Sequence, residues 1–204
     1  MVVTLLNHTP LEIADKAIGK CWDKPKDECD VARIERVANK HKHSSTIEHL
    51  TYNFDIDGVS RALLQELARH RMTNLSVKSS RYTLKELKGI PANELHFEYD
   101  RFLVSTKNVY VDCAMQTALE NLHEVIQKGV SNDVAKYCMP EAYKTSLVWT
   151  INARSLQNFL ALRTNKAALW EIRELAYEIF KQLPQDHKFL FRDNLYLEDK
   201  LTEN

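Results

Sequence analysis

Residues 50–57 run Leu50-Thr51-Tyr52-Asn53-Phe54-Asp55-Ile56-Asp57. Large apolar side chains alternate with polar ones, the period of two that marks a strand with one face buried and one face wet. Asp57-Gly58 predicts the end of that strand, and Ser60 is placed to cap a helix running to about Met72. Toward the N-terminus, Val2–Leu6 predicts a short strand and the segment after Pro10 an amphipathic helix to about Trp22. A charged loop (23–30) follows, and then a helix capped by Asp30 from Val31 to about Lys42. Toward the C-terminus, residues 73–86 form a polar stretch, a loop surrounds Pro91, and residues 96–104 (HFEYDRFLV) fit strand or helix. Ala114, Ala118, Leu122, Val125 and Ile126 carry helical spacing through Val109–Lys128, and Gly129 terminates it. Tyr143–Asn152 predicts a second long strand, Ala153–Arg163 a helix, and Ala167–Leu183 another that stops before Pro184. The tail from Asp186 is expected to be short and partly helical. With no repeat, low-complexity segment or linker, the pattern predicts an α+β fold. It is expected to be a single domain over residues 1–204, with a mixed or antiparallel sheet flanked by helices.

Composition narrows the function. The 204 residues carry 28 basic and 28 acidic side chains, so there is no broad positive field to hold a nucleic-acid polymer. Four glycines fall well below the usual share of about 7%, and neither GxGxxG nor GxxxxGK occurs, so a bound nucleotide must be held by side chains and helix ends. The four cysteines are scattered without a CxxC pair, which fits a reducing compartment better than a disulfide scaffold or zinc ribbon. No apolar run reaches the roughly 20 residues of a membrane span. The opening MVVTLLNHTPLEIADKA lacks the basic start of a leader, so the cytoplasm is the expected location.

Helical periodicity singles out residues that violate an apolar face. At about 100° per residue, Leu63, Leu67, His70 and Arg71 share one arc of the helix after Ser60, while Arg69 lies near Gln65. On the later helix, Leu156, Phe159 and Arg163 share a face, and Arg154 and Asn158 lie one turn apart on another. A guanidinium turned toward a core needs an anion or a planar polar partner, unless its stem snorkels to water at a frayed helix end. Arg69-His70-Arg71, followed by Ser76, Lys78, Ser79, Ser80 and Arg81, gathers cations and hydroxyls that suit a phosphate-bearing ligand.

The spacing of Arg69-His70-Arg71 to Ser79, continuing through Arg81-Tyr82, resembles flavin-dependent thymidylate synthases. So do His43-Ser44-Ser45-Thr46-Ile47-Glu48-His49 and the run Asn152 to Arg163, which matches the family's NARSLxNFLxLR. The three motifs occur in order across residues 10–190. The resemblance implies a homotetramer with FAD sites between subunits. Such an enzyme makes dTMP from dUMP with methylenetetrahydrofolate as carbon donor and NADPH as reductant, the reduced flavin delivering the hydride. Matching positions imply flavin contacts at His43, Ser45, Glu48, Arg69, His70, Arg71, Asn152, Arg154 and Asn158. They imply dUMP contacts at Gln65, Glu66, Arg69, Ser79, Ser80, Arg81, Lys136 and Arg163. Arg163 is the implied catalytic cation, set against the uracil ring where charge develops as N3 ionises.

The match has departures. Where the family reads RHRxxSxNExSxRY, Asn74, Ser76 and Val77 replace Ser, Asn and Glu, so no carboxylate stands at position 77. Lys136 stands where arginine is frequent and keeps charge without the bidentate fork. Cys21 stands where a serine beside the flavin is common. No base adjoins Ser79, which argues against a nucleophilic serine. His41, His43 and His49 lack a partner ligand at standard zinc spacing, and no metal is expected. Cys113 and Cys138 fall within or near apolar helical runs and are expected to be structural or incidental rather than nucleophilic. A flavin-binding relative without synthase activity is the alternative from the binding class.

Overall fold

A computed structural model describes residues 1–24 and 27–196. Pro25 and Lys26 of the expected charged loop, and residues 197–204 of the expected tail, lie outside the described residues. In chain order the elements are β1 (Val2–His8), α1 (Leu11–Trp22), α2 (Val31–Glu35), β2 (Thr51–Ser60), α3 (Arg61–Ala68), β3 (Thr73–Val77), α4 (Ser80–Thr83), α5 (Lys85–Lys88), α6 (Tyr99–Phe102), α7 (Val109–Gln127), α8 (Asn132–Ala135), β4 (Lys144–Asn152), α9 (Ala153–Arg163) and α10 (Trp170–Gln182). The four strands make one sheet in the order β1-β2-β4-β3. Ala153 N–H donates to Leu50 O at 2.8 Å and Arg61 N–H to Tyr143 O at 3.1 Å, so the numbering of β2 and β4 runs in opposite directions and the pair is antiparallel. The α+β expectation is met. Among the described residues no helix is long and apolar enough to cross a membrane.

The chain clusters into two compact units. The first comprises residues 1–56, 66–75 and 148 onward; the second comprises Asp57–Gln65 and Ser76–Leu147.

In the first unit the alternation around residue 54 does what its period dictates. Tyr52, Phe54 and Ile56 are fully buried while their neighbours remain partly wet. Trp149 and Ile151 of β4 are buried in the same alternating way. Each such side chain contributes about 1.5–3 kcal/mol by leaving water. Rings connect this core in sequence: Phe54 lies 6.2 Å from Trp149, Trp149 meets Phe159 edge-on at 4.9 Å, and Phe159 meets His70 edge-on at 5.4 Å. Buried Arg33 is stapled to α1, its Nε donating to Asp15 Oδ1 at 2.8 Å and its Nη2 lying 2.7 Å from Oδ2, while Nη1 donates to Lys24 O at 2.9 Å.

Several boundaries differ from expectation here. The Asp30-capped helix is α-helical only to Glu35 and then widens into a π turn over Arg36–Lys40. There Asn39 Nδ2 donates to Phe189 O at 2.8 Å and Asn39 Oδ1 accepts from Gln157 Nε2 at 3.2 Å. Helix α10 begins at Trp170 rather than Ala167. The chain leaves its helix at Ala68, not Met72, because His70 N–H turns back to Leu67 O at 3.0 Å and Met72 takes a left-handed φ of 61°. Arg71 therefore does not lie on the apolar face; it is exposed.

In the second unit Gly58, at φ 72°, carries the strand onward to Ser60 instead of ending it, and the inward phase shifts so that Val59 and Ser60 are both buried. Ser60 Oγ accepts from Leu63 N at 3.0 Å, the expected cap. The core gathers Leu84, Leu87, Leu95, Phe102, Leu119, Leu122, Ile126 and Tyr143. Residues 96–104 resolve as helical turns ending in α6, with Leu103 bridged antiparallel to Tyr143. In α7 the inward positions are Leu119, Leu122, His123 and Ile126, not Ala114 and Ala118. The polar stretch contains the short strand β3, whose pairing continues as Lys78 N–H donates to Ser146 O at 2.9 Å. Cys113 and Cys138 are exposed, so of the two expectations for them they are incidental rather than structural thiols.

Candidate active site

Two segments distant in sequence build a cavity of about 610 Å³ in the first unit: the turn 69–72 after α3 and the outer face of α9. Helix α9 is specified locally. Asn152 caps it by accepting from Ser155 N at 2.9 Å, Leu156, Phe159 and Leu160 are buried, and Arg163 in the last turn suits the negative end of the helix. Arg154 and Asn158 then emerge on the exposed face. Arg69, His70 and Arg71 meet Asn152, Arg154, Asn158 and Arg163 around the cavity, and Glu48 joins them. Met72, Ser155 and Leu162 complete the wall. Sequence reasoning did not single these three out. Ser155 had a signal, its place three residues after the cap; Met72's left-handed backbone had none.

His70 is buried, and its Nε2 lies 3.0 Å from the Ser155 carbonyl oxygen. Burial pushes its pKa below the ordinary histidine value; the Ser155 bond opposes that shift, and the positive charge of Arg163 adds to it. Glu66 holds Arg163: Nη1 donates to Glu66 Oε2 at 2.9 Å and Nη2 to the Glu66 carbonyl at 3.2 Å. Among the described residues the Arg163 Nε–H is buried without an acceptor. Arg154 Nη1 pairs with Glu48 Oε1 at 2.5 Å. The wall thus offers forks from Arg69, Arg71 and Arg154, the Asn158 amide and an unmet buried N–H. That donor set fits a ligand rich in anionic and carbonyl oxygens, as a flavin dinucleotide is.

His43 and Ser45 are not on this wall. Ser45 lines a separate hollow of about 540 Å³ with Cys21, Lys16, Lys20 and His49. His43 is exposed, its ring 6.5 Å from Trp22 and 6.2 Å from His41. Among the described residues no three His, Cys, Asp or Glu side chains gather to hold a metal ion.

The remaining expected residues belong to the second unit. Gln65 Nε2 donates to both Glu141 carboxylate oxygens, at 2.8 and 2.9 Å. Ser79 stands at the start of α4, Ser80 opens that helix, and Lys136 is half-buried in the turn after α8. Arg81 Nε pairs with Asp133 Oδ1 at 2.5 Å, and its guanidinium lies 5.9 Å from the Tyr82 ring centre. Val77, at the end of β3, is partly exposed and supplies no carboxylate.

A family model described as "Thymidylate synthase complementing protein" matches residues 4–187. The flavin-dependent thymidylate synthase of Wolinella succinogenes is 56% identical over 201 residues, covering 94% of this chain and 97% of that protein. This chain belongs to the flavin-dependent thymidylate synthase family. A second flavin-dependent thymidylate synthase, from Campylobacter jejuni strain RM1221, is 54% identical over 207 residues, covering 96% and 98%. The crystal structure of thymidylate synthase X from Helicobacter pylori with FAD and dUMP matches the fold with a TM-score of 0.89 at 48% identity, covering 96% of this chain and 99% of that one. As a flavin-dependent thymidylate synthase, this chain is an enzyme whose methylation chemistry depends on flavin.

Proposed function

We propose that this chain converts dUMP to dTMP with FAD held at the arginine-lined cavity, methylenetetrahydrofolate giving the carbon and NADPH the reducing equivalents. One observation carries the reading: two sequence-distant motifs, Arg69-His70-Arg71 and Asn152–Arg163, converge on a single cavity, with Arg69, Arg71, Arg154 and Asn158 exposed and the Arg163 Nε–H unmet among the described residues. Arg69, Arg71 and Arg154 are proposed to hold phosphate and ring oxygens of FAD, with His70, Asn152 and Asn158 fixing its polar edge. His43, Ser45 and Glu48 are proposed as further flavin contacts, Glu48 through its pair with Arg154. When bound and reduced, FAD supplies the hydride that completes the methyl group.

Arg163 is proposed to sit against the uracil of dUMP and stabilise negative charge on the ring. Arg69 is proposed to contribute a second cation, and Gln65, Ser79, Ser80, Arg81 and Lys136 to bind the nucleotide as well. The Ser79 hydroxyl donates to phosphate; Arg81, held meanwhile by Asp133, offers its fork to the stronger dianion.

The two compact units are proposed to act as one functional domain, supported by a single family match that spans both. A homotetramer is also proposed, supported in the second unit by exposed Val109, Tyr110, Val111, Val134 and Tyr137. A cytoplasmic location suits the NADPH and folate co-substrates and the four free cysteines. The test is an absorption spectrum of the purified protein followed by turnover. Flavin peaks perturbed by dUMP, and dTMP release with NADPH and methylenetetrahydrofolate, are expected. A protein that takes up no FAD, or a yellow protein that forms no dTMP, refutes the proposal.

A further inference from the structure

The geometry points to Glu66 as the residue that positions Arg163 for the nucleotide, acting through the arginine rather than on dUMP itself. The inference rests on the reading of Arg163 as the cation for dUMP. The resemblance implied a direct contact between Glu66 and dUMP. In the structure two of the three Glu66 acceptor oxygens are engaged by one guanidinium: Oε2 takes Nη1 at 2.9 Å and the main-chain carbonyl takes Nη2 at 3.2 Å. The carbonyl is available for a structural reason. Helix α3 stops at Ala68, so Glu66 lies among the last four residues, whose carbonyls have no partner within the helix. The early stop that upset the helical extrapolation is thus what makes the second grip.

Enclosure separates this pair from the ordinary surface pairs around it. The Arg163 and Glu66 side chains are 19% and 36% exposed, against 59% and 42% for Arg154 and Glu48. A free arginine side chain spans many rotamers, and a ligand that needs one of them bears the ordering cost unless a neighbour has already set it. Two acceptors from a single residue, one of them main chain, set both the position and the plane of the fork. A direct role is also disfavoured by charge, since the Glu66 carboxylate and the dUMP phosphate repel while Arg163 attracts both.

The test is a double-mutant cycle on the FAD-loaded protein, with dUMP affinity read by calorimetry for the wild type, Glu66→Ala, Arg163→Ala and the double variant. Glu66→Ala is expected to weaken dUMP about tenfold when Arg163 is present and less than about twofold in the Arg163→Ala background, the signature of a residue acting through its partner. Glu66→Gln keeps an acceptor at the same place and is expected to recover most of the affinity; should Glu66→Ala fail to fold, the cycle is run with Glu66→Leu, which fills the space without a side-chain acceptor. Equal weakening in both backgrounds assigns Glu66 to dUMP directly and overturns the proposal, as does no weakening at all. A second readout needs no nucleotide. The Arg163 guanidinium signals in nitrogen-15 spectra are expected to show restricted rotation in the wild type and averaging in Glu66→Ala, and identical signals in the two overturn the proposal. If wild-type protein ignores dUMP while those guanidinium signatures appear, the substrate reading fails and the positioning of Arg163 stands.

Discussion

His70 Nε2 lies 3.0 Å from the carbonyl oxygen of Ser155, the residue whose amide is capped by Asn152. A carbonyl accepts only, so Nε2 carries the proton and the neutral ring keeps Nδ1 as an acceptor. Burial, aided by the charge of Arg163, disfavours the imidazolium. Nitrogen-15 spectra of histidine-labelled protein are expected to show His70 as the neutral Nε2–H tautomer at about pH 6.5, where an ordinary histidine is half charged. An imidazolium, or an Nδ1–H tautomer, at that pH counts against the assignment.

Arg163→Ala removes the one cation on the cavity wall that Glu66 holds, and leaves Arg69, Arg71 and Arg154 for FAD. Oxidation of reduced flavin driven by dUMP is expected to fall about a hundredfold, the scale for losing a donor aimed at developing charge. FAD retention is expected to change little. Stopped-flow absorbance at the flavin band and the flavin content of the purified variant check the two halves. Near-normal oxidation sinks the role given to Arg163, and colourless protein sinks the separation of the two sets of residues.

Much of this arrangement was legible because local chemistry and long-range packing agree. Tyr52, Phe54 and Ile56 alternate and are buried, and α9 has a cap, an apolar stripe and a basic end within the twelve residues Asn152–Arg163. The motif residues of the cavity came from the resemblance, and the arginine pattern had already indicated a phosphate-bearing ligand. What escaped depends on distant partners. Strand β3 has little apolar content, and its pairing is made by main chain to β4. The end of α3 has no glycine or proline to announce it, only the left-handed Met72. The inward face of α7 was misjudged at Ala114 and Ala118 because alanine signals burial weakly. The structure buries His123 there, its Nε2 lying 2.7 Å from Ile90 O. The pairs Glu66–Arg163 and Gln65–Glu141 join positions that no local pattern connects.

Acid sensitivity follows from His187. Its Nδ1 lies 2.8 Å from the Tyr52 hydroxyl, burial keeps that phenol protonated, and with His187 neutral the hydroxyl can donate to Nδ1. Burial lowers the pKa of His187, with Asp186 opposing and His8 adding to the shift. A folded-state pKa below the unfolded value means the unfolded chain takes up protons first. Stability is therefore complete above about pH 6.5 and is lost as pH falls from there toward the lowered folded value. The melting temperature is expected to drop between about pH 7 and pH 5, with a shallower slope in His187→Gln, since His70 contributes in the same sense. Tyr52→Phe, which strips His187 of its donor, is expected to cost about 1–3 kcal/mol at neutral pH. A flat melting profile, or an unchanged slope in His187→Gln, contradicts this account.

The thiols are expected to be dispensable for the chemical step. Burial pushes the Cys29 thiol above its ordinary pKa, and Asp15, Glu12 and Asp30 add to that while Arg33 opposes, the reverse of what a thiolate nucleophile needs. Cys113 and Cys138 are exposed in the second unit, and Cys21 lines the hollow beside Ser45 rather than the arginine cavity. A charge that develops on the uracil ring is met in the proposed site by Arg163, which removes the need for covalent attack by sulfur. Replacing all four cysteines by serine or alanine is therefore expected to slow dTMP formation by no more than about tenfold, with Cys21 the main contributor through its hollow. The assay is turnover of the folded, FAD-loaded variant. Complete loss of dTMP formation in protein that still binds FAD and dUMP would restore a cysteine to the mechanism.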